Sequence, residues 1–314
     1  MRSRRSPPER LSIGPLEPMG KTGFGFYRIH ILQSLPEGEW NTGLHLLRFL
    51  EDLPDTHGHL QFEKVQTKQE MFGALGNIKD TLMATGQIPL VHLEAHGNPD
   101  GLRLSSGEFV EWHDLRASLT DINVRCQLNL FIALSACSGE ILVSMIRLSE
   151  PAPFWGCIGP RSEELSGTLH DSFKAFYHRL LESGDFRAAL DAAGAGLPTG
   201  KRTLTFWPAE FFFVAAFREY LIQQCGEEKL KERAEWIAQE LKKTGQNVSS
   251  EIKKSIAADL ANHEHYFNKY RGEFLMLDRY PHNAGRFTAN YSHLALSPTV
   301  EQTDTAKSSV PPLT

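Results

Sequence analysis

Long apolar runs and a basic surplus are both missing from this 314-residue chain. Its longest strongly apolar run, residues 211–217, is far shorter than the roughly 20 residues that a membrane helix needs, so we expect no membrane span. Lysine and arginine number 33 against 38 aspartates and glutamates, which gives a net charge of −5. A nucleic-acid-binding domain normally carries a basic surplus, so we expect no direct nucleic-acid partner.

Cysteine is also scarce, with four residues widely spaced at Cys126, Cys137, Cys157 and Cys225. Residues 1–10 are basic and contain prolines, but no apolar core follows them, which does not fit a secretory signal. We therefore expect a cytoplasmic protein whose thiols are reduced.

Between residues 24 and 217, strand-like and helix-like apolar patterns alternate. This alternation predicts an α/β fold, with a mostly parallel sheet inside a three-layer α/β/α sandwich. The predicted strands are 24–35, 60–65, 88–95, 129–134 and 154–158, and residues 204–217 are predicted to be β-rich and to close the sheet. The predicted helices are 43–53, 68–84, 111–124, 140–148 and 173–181.

The composition changes after residue 217. Interspersed charges and apolar residues spaced three or four apart over 252–277 predict a helical extension, with Gly272 as a candidate interruption of one long helix. The sequence thus divides into a flexible segment 1–23, an α/β domain 24–217, a helical extension 218–296 and a disordered, Ser/Thr/Pro-rich tail 297–314.

Two predicted strands end in residues that can perform chemistry. Strand 88–95 runs into His96 and Gly97, and strand 129–134 runs through Ser135 into Cys137. Parallel strands lie about 4.8 Å apart, and ligands bind beyond their carboxyl ends. An imidazole there can accept the thiol proton and later protonate a leaving amine, while the N–H groups of Gly97 and Cys137 can form an oxyanion hole.

These residues resemble a known family. His96-Gly97 and Ala136-Cys137-Ser138-Gly139 are similar to the signatures of the caspase, separase and CHAT-domain cysteine peptidases. The sequence between the motifs and the stretch that follows them, to about residue 193, are similar to CHAT domains in particular. The resemblance covers about residues 24–217.

The resemblance implies a caspase-like sandwich and peptide-bond hydrolysis through an acyl-enzyme, with no metal and no other cofactor. It makes Cys137 the nucleophile, His96 the base and acid, and Gly97 an oxyanion donor. Ser135 departs from the pattern, because caspases carry Gln and metacaspases Asp at this position of the primary specificity pocket. Serine supplies no charge, so this position predicts no cleavage after Asp, Lys or Arg. Asp100 could orient His96 or line the cleft, or it could simply belong to a turn.

The same resemblance implies a protein substrate and a place in prokaryotic antiviral defence, where CHAT-like peptidases cut a gasdermin-like protein or another effector, with a regulatory protein as a further partner. Two alternatives remain open. The chain could be a silent scaffold or adaptor that binds a partner through its helical extension, or a thiol hydrolase that acts on non-peptide acyl groups.

Other candidate residues are assigned to structure. We predict a structural role for His92, because four residues along a strand separate it from His96 by about 13 Å, too far for a shared zinc ion. Glu94 is expected on the opposite strand face from His96 and therefore not to pair with it. The remaining cysteines, Cys126, Cys157 and Cys225, are expected to be structural.

Overall fold

A mixed, mostly parallel sheet of eight strands organises the fold. The computed structural model describes residues 11–13, 24–54, 56, 58–98, 100–136, 145–160, 165–195 and 203–294. The strands are β1 Leu11–Ile13, β2 Phe24–Phe26, β3 Arg28–Ser34, β4 Leu60–Lys64, β5 Pro89–Asn98, β6 Gly101–Arg103, β7 Phe109–Glu111, β8 Phe131–Ser135, β9 Gly156–Pro160 and β10 Leu204–Pro208. The helices are α1 Thr42–Glu51, α2 Lys68–Thr85, α3 Trp112–Arg125, α4 Ser166–Ser183, α5 Phe186–Ala193, α6 Ala209–Gln224, α7 Glu227–Lys243, α8 Ser250–Leu260 and α9 His263–Phe274.

The main part of the sheet has the strand order β10-β9-β8-β5-β3-β4. Neighbouring strands are parallel except β10, which runs antiparallel to β9. Beyond the parallel sheet, the carboxyl end of β5 continues into an antiparallel extension with β6 and β7. Strands β1 and β2 form a separate two-stranded sheet.

Helices pack on the sheet in a way that is consistent with the predicted three-layer α/β/α sandwich. Helices α1, α4 and α5 pack together, and α2 packs against α3. On the α4 side, ring contacts join a group of aromatic side chains, all buried except the partly buried Phe206, which we call the aromatic cluster. Its members are Phe131, Trp155, Phe176, Phe186 and Phe206.

The sequence correctly predicted most of the alternating strands and helices as far as β10, although 24–35 is divided at Tyr27 into β2 and β3. Strands β6 and β7 and helix α5 were not predicted, and the predicted helix 140–148 is wrong over residues 146–148, which are not helical. The β-rich prediction for 204–217 is wrong beyond Pro208, because α6 begins at Ala209. A short, continuous apolar run does not distinguish a buried strand from a buried helix, since it has no period of its own.

Helices α6 to α9 form most of the predicted helical extension 218–296, although α6 begins at Ala209, within the predicted α/β domain 24–217. Phe213 and Phe217 of α6 contact Phe267 of α9, and Phe213 also contacts Phe274. The predicted interruption at Gly272 is wrong, because this glycine lies inside α9 and the break falls at Asn262. The side chain of Asn262 accepts a hydrogen bond from the His265 N–H and so begins α9.

Three predicted segments fall wholly or mostly outside the described residues. These are the flexible segment 1–23, of which only β1 is described, the helix 140–148, of which only 145–148 are described, and the tail 297–314. Across the described ranges, no helix is long and apolar enough to cross a bilayer.

Candidate functional site

His96 stands at the carboxyl end of the parallel sheet, where β5 begins to pair with β6. Its side chain is 53% exposed, and its Nε2 lies 2.9 Å from Oε2 of Glu39. Glu39 belongs to the segment between β3 and α1, and β3 is the neighbour of β5 in the sheet. The sequence analysis missed Glu39, although its position shortly after a strand that ends at the same edge was a usable signal.

The contact with the Glu39 carboxylate bears on which nitrogen of the His96 ring carries a proton. An ionised carboxylate accepts hydrogen bonds and donates none. The contact therefore favours the tautomer with a proton on Nε2 of His96, which leaves Nδ1 as the acceptor. This is the arrangement in which an acid holds a catalytic imidazole in one tautomer and stabilises the imidazolium that forms.

The register of β5 and β8 brings the strand segments that lead into the two predicted motifs side by side. Glu94 and Ser135 are directly opposed Cα partners. The Ser135 hydroxyl donates to Oε1 of Glu94 over 2.9 Å. His96 follows Glu94 by two residues, and Cys137 follows Ser135 by two residues. Cys137 lies outside the described residues, so its pairing with His96 stays a prediction.

Directly behind His96 lies a set of buried polar side chains that we call the polar network. Glu94 is its centre and accepts from the hydroxyls of Thr42 and Ser135 at the same oxygen, Oε1. Its other oxygen, Oε2, lies 2.9 Å from Nε2 of His92, whose Nδ1 lies 3.1 Å from the Tyr177 hydroxyl. The network therefore comprises Thr42, His92, Glu94, Ser135 and Tyr177.

The hydrogen bonds of the network indicate which nitrogen of the His92 ring carries a proton. Burial, and secondarily the charge of Glu94, raises the pKa of Tyr177 well above its usual value, so its phenol keeps its proton. Tyr177 can then donate to Nδ1 of His92, which leaves the ring proton on Nε2 for donation to Glu94. His92 is fully buried, in keeping with its predicted structural role.

The prediction that Glu94 and His96 lie on opposite faces of the strand is wrong. Side chains two residues apart on a strand share a face, and the bond between His92 and Glu94 shows this directly. Thr42 of α1 bonds Glu94, and Glu39, three residues before it, bonds His96. Glu94 and His96 therefore lie on the same face of the sheet but bond different residues, Thr42 and Glu39 respectively.

Gly97 and Asp100 lie in the hairpin that joins β5 to β6. Gly97 is opposite Leu102 in the antiparallel ladder. The Asn98 side chain accepts from the N–H groups of Asp100 and Gly101, at 2.8 and 3.1 Å, which is a local turn arrangement. Asp100 is exposed, and among the described residues Glu39, not Asp100, bonds His96. The oxyanion role of Gly97 and a cleft role for Asp100 stay predictions.

The three described cysteines are poor candidates for a nucleophile. Burial raises the pKa of the Cys126 thiol to about 12. Burial likewise raises the pKa of Cys157 and, at a half-buried position, that of Cys225. Since the thiolate is the reactive form, these side chains are expected to react slowly with electrophiles.

Comparisons with known proteins leave the site to be interpreted on its own residues. Neither the protein-family models nor the curated proteins contain a match to this chain. Within the ranges that the structure describes, no group of three or more His, Cys, Asp or Glu side chains could hold a metal ion.

Proposed function

We propose that this chain is a cysteine endopeptidase in which Cys137 is the nucleophile and His96 is the general base and acid. The observation that carries the proposal is the β5–β8 register, in which Glu94 opposes Ser135 and the two reactive residues each follow by two positions. The exposure of His96 and its bond to Glu39 support it, because both suit a ring that exchanges protons with substrate.

The proposed reaction has two stages. His96 takes the thiol proton at Nδ1 as the sulfur of Cys137 attacks the scissile carbonyl, and the N–H groups of Gly97 and Cys137 stabilise the oxyanion. His96 then donates that proton to the leaving amine, which yields the acyl-enzyme. Water, deprotonated by His96, hydrolyses the thioester and restores the thiol. Glu39 is a positioning residue that stabilises the imidazolium in both stages.

The biological setting of the proposal rests on the CHAT and caspase resemblance. On that basis the chain is a cytoplasmic peptidase of prokaryotic antiviral defence. Its substrate is a gasdermin-like or other effector protein, and a regulatory protein is a further partner. A thiol hydrolase for non-peptide acyl groups would use the same residues, and substrate profiling separates the two.

The test is labelling and cleavage with matched cysteine variants of the full chain. A peptidyl acyloxymethyl ketone is expected to modify Cys137, and Cys137→Ala is expected to lower peptide cleavage by at least about 1,000-fold with an unchanged melting temperature. Cys225→Ala is the matched control, because Cys225 is the most accessible of the three described cysteines. This substitution is expected to leave peptide cleavage and labelling of Cys137 unchanged. Undiminished cleavage by Cys137→Ala, or label on another cysteine alone, would refute the assignment.

A second candidate function is the adaptor, and it is favoured by exposed apolar side chains on the helical extension. Ile222 is 76% exposed and Trp236 is 63% exposed. If the chain is an adaptor, Trp236→Ala is expected to abolish its biological effect and Cys137→Ala to preserve that effect. If the chain is a peptidase, Cys137→Ala is expected to abolish the effect.

A further inference from the structure

A buried carboxylate, that of Glu94, lies near the carboxyl end of the parallel part of the sheet. Its side chain is 8% exposed, and it lies one strand away from the segment that leads into Cys137. Among the described residues, neither lysine nor arginine forms an ion pair with it. A carboxylate removed from water without a cation is costly, so its retention beside a candidate active site calls for a function.

The hydrogen bonds of Glu94 hold it in place without neutralising it. An ionised carboxylate has about four acceptor sites, and Thr42, Ser135 and His92 occupy three of them. None of these three partners is a lysine or an arginine. One acceptor site on Oε2 is left for a further donor.

An exposed aromatic side chain is linked to Glu94 through His170. Burial chiefly lowers the pKa of His170, and the charge of Glu94 acts on the same ring and raises that pKa in part. Trp40 packs on His170 with a centroid distance of 4.8 Å and is itself 45% exposed. An exposed indole face can cover the methylene stem of a lysine or arginine and attract its charge.

We infer that Glu94, held by Ser135 and Thr42, is the specificity-determining residue of the proposed peptidase and selects lysine or arginine before the scissile bond. The inference rests on the proposed function. It revises the expectation drawn from Ser135 alone, because the serine supplies no charge itself but bonds directly to a side chain that does.

The test compares two peptidyl acyloxymethyl ketones that differ only in lysine or norleucine at the position before the electrophile. Norleucine keeps the methylene stem and lacks the ammonium group. Wild-type chain is expected to be modified at Cys137 about 10- to 100-fold faster by the lysine probe, the range for a hydrogen bond to a charged group. Glu94→Gln is expected to bring that ratio close to one.

Glu39→Gln is the matched control, since it removes a second carboxylate at the same edge of the sheet. It is expected to slow both probes and to leave their ratio unchanged. Glu94→Asp, which keeps the charge, is expected to retain a preference for lysine. A wild-type ratio near one overturns the inference by itself, even if Glu94→Gln proves unstable.

The outcomes separate this inference from the proposed function. Modification of Cys137 by both probes at equal rates, or loss of the lysine preference in Glu39→Gln but not in Glu94→Gln, would overturn the role of Glu94 and leave the peptidase standing. Absence of Cys137 modification by either probe would overturn the proposed function and the inference with it.

Discussion

The aromatic cluster and the polar network lie on the same face of one sheet and have opposite chemistry. Strand β8 contributes Phe131 to the cluster and Ser135 to the network. Helix α4 contributes the adjacent residues Phe176 and Tyr177, one to each. Apolar burial stabilises a fold directly, whereas buried polar groups roughly break even when every partner is present. The amino end of this face is therefore built for stability, and its carboxyl end is suited to chemistry.

The largest expected effect breaks the aromatic cluster. Phe131 is fully buried and contacts at least four other rings, so Phe131→Ala removes apolar burial and leaves a cavity. We expect a loss of about 3–5 kcal/mol in the free energy of unfolding, measured by urea denaturation. Phe211→Ala is the control, because Phe211 is 51% exposed, and we expect a change within about 0.5 kcal/mol. Equal effects of the two substitutions would show that the cluster does not dominate stability.

A buried histidine outside both regions sharpens the comparison through pH. Burial, and then the charge of Arg28, lowers the pKa of His30 on β3 to about 4. Between pH 6.5 and 4 the unfolded ring binds a proton that the folded ring does not. The free energy of unfolding is therefore expected to fall as the pH decreases through that window, by about 3 kcal/mol, and to gain nothing from His30 above it.

The measurement is the difference between the stability curves of wild type and His30→Leu over pH 4 to 8. Subtraction removes the carboxylates and the other histidines that titrate in both chains. A difference that stays constant with pH would contradict the lowered pKa of His30.

A smaller effect is expected from the polar network. Tyr177→Phe keeps the buried ring but removes the hydroxyl that bonds Nδ1 of His92. We expect a loss of about 1–2 kcal/mol in the free energy of unfolding, because a buried acceptor loses its donor. Tyr266→Phe, which removes a more accessible hydroxyl bonded to Asp259, is expected to cost at most about 0.5 kcal/mol. A Tyr177→Phe variant as stable as wild type would indicate that water replaces the hydroxyl.

The sequence predicted the elements that have a period of their own and missed what depends on neighbouring chain segments. Strand β5 and the strand-end position of His96 follow from a local pattern. The bond between His96 and Glu39 joins residues that are 57 positions apart, and no local pattern carries that contact. Glu94 was assigned to the wrong face because its distance of two residues from His96 was not converted into the two-residue period of a strand.

The smallest expected effect lies in the helical extension, outside both regions. Gly272 lies within α9, and a Cβ added there meets no atom within 4 Å. Alanine restricts the unfolded chain more than glycine does and fits the helical backbone. Gly272→Ala should therefore raise the free energy of unfolding by about 0.5–1 kcal/mol, measured by urea denaturation. Gly184→Ala is the matched control and is expected to lower the free energy of unfolding. Gly184 follows the last residue of α4 at a φ of +63°, where alanine is strained. A lower free energy of unfolding for Gly272→Ala would contradict this expectation and would indicate that the helix is interrupted at this glycine.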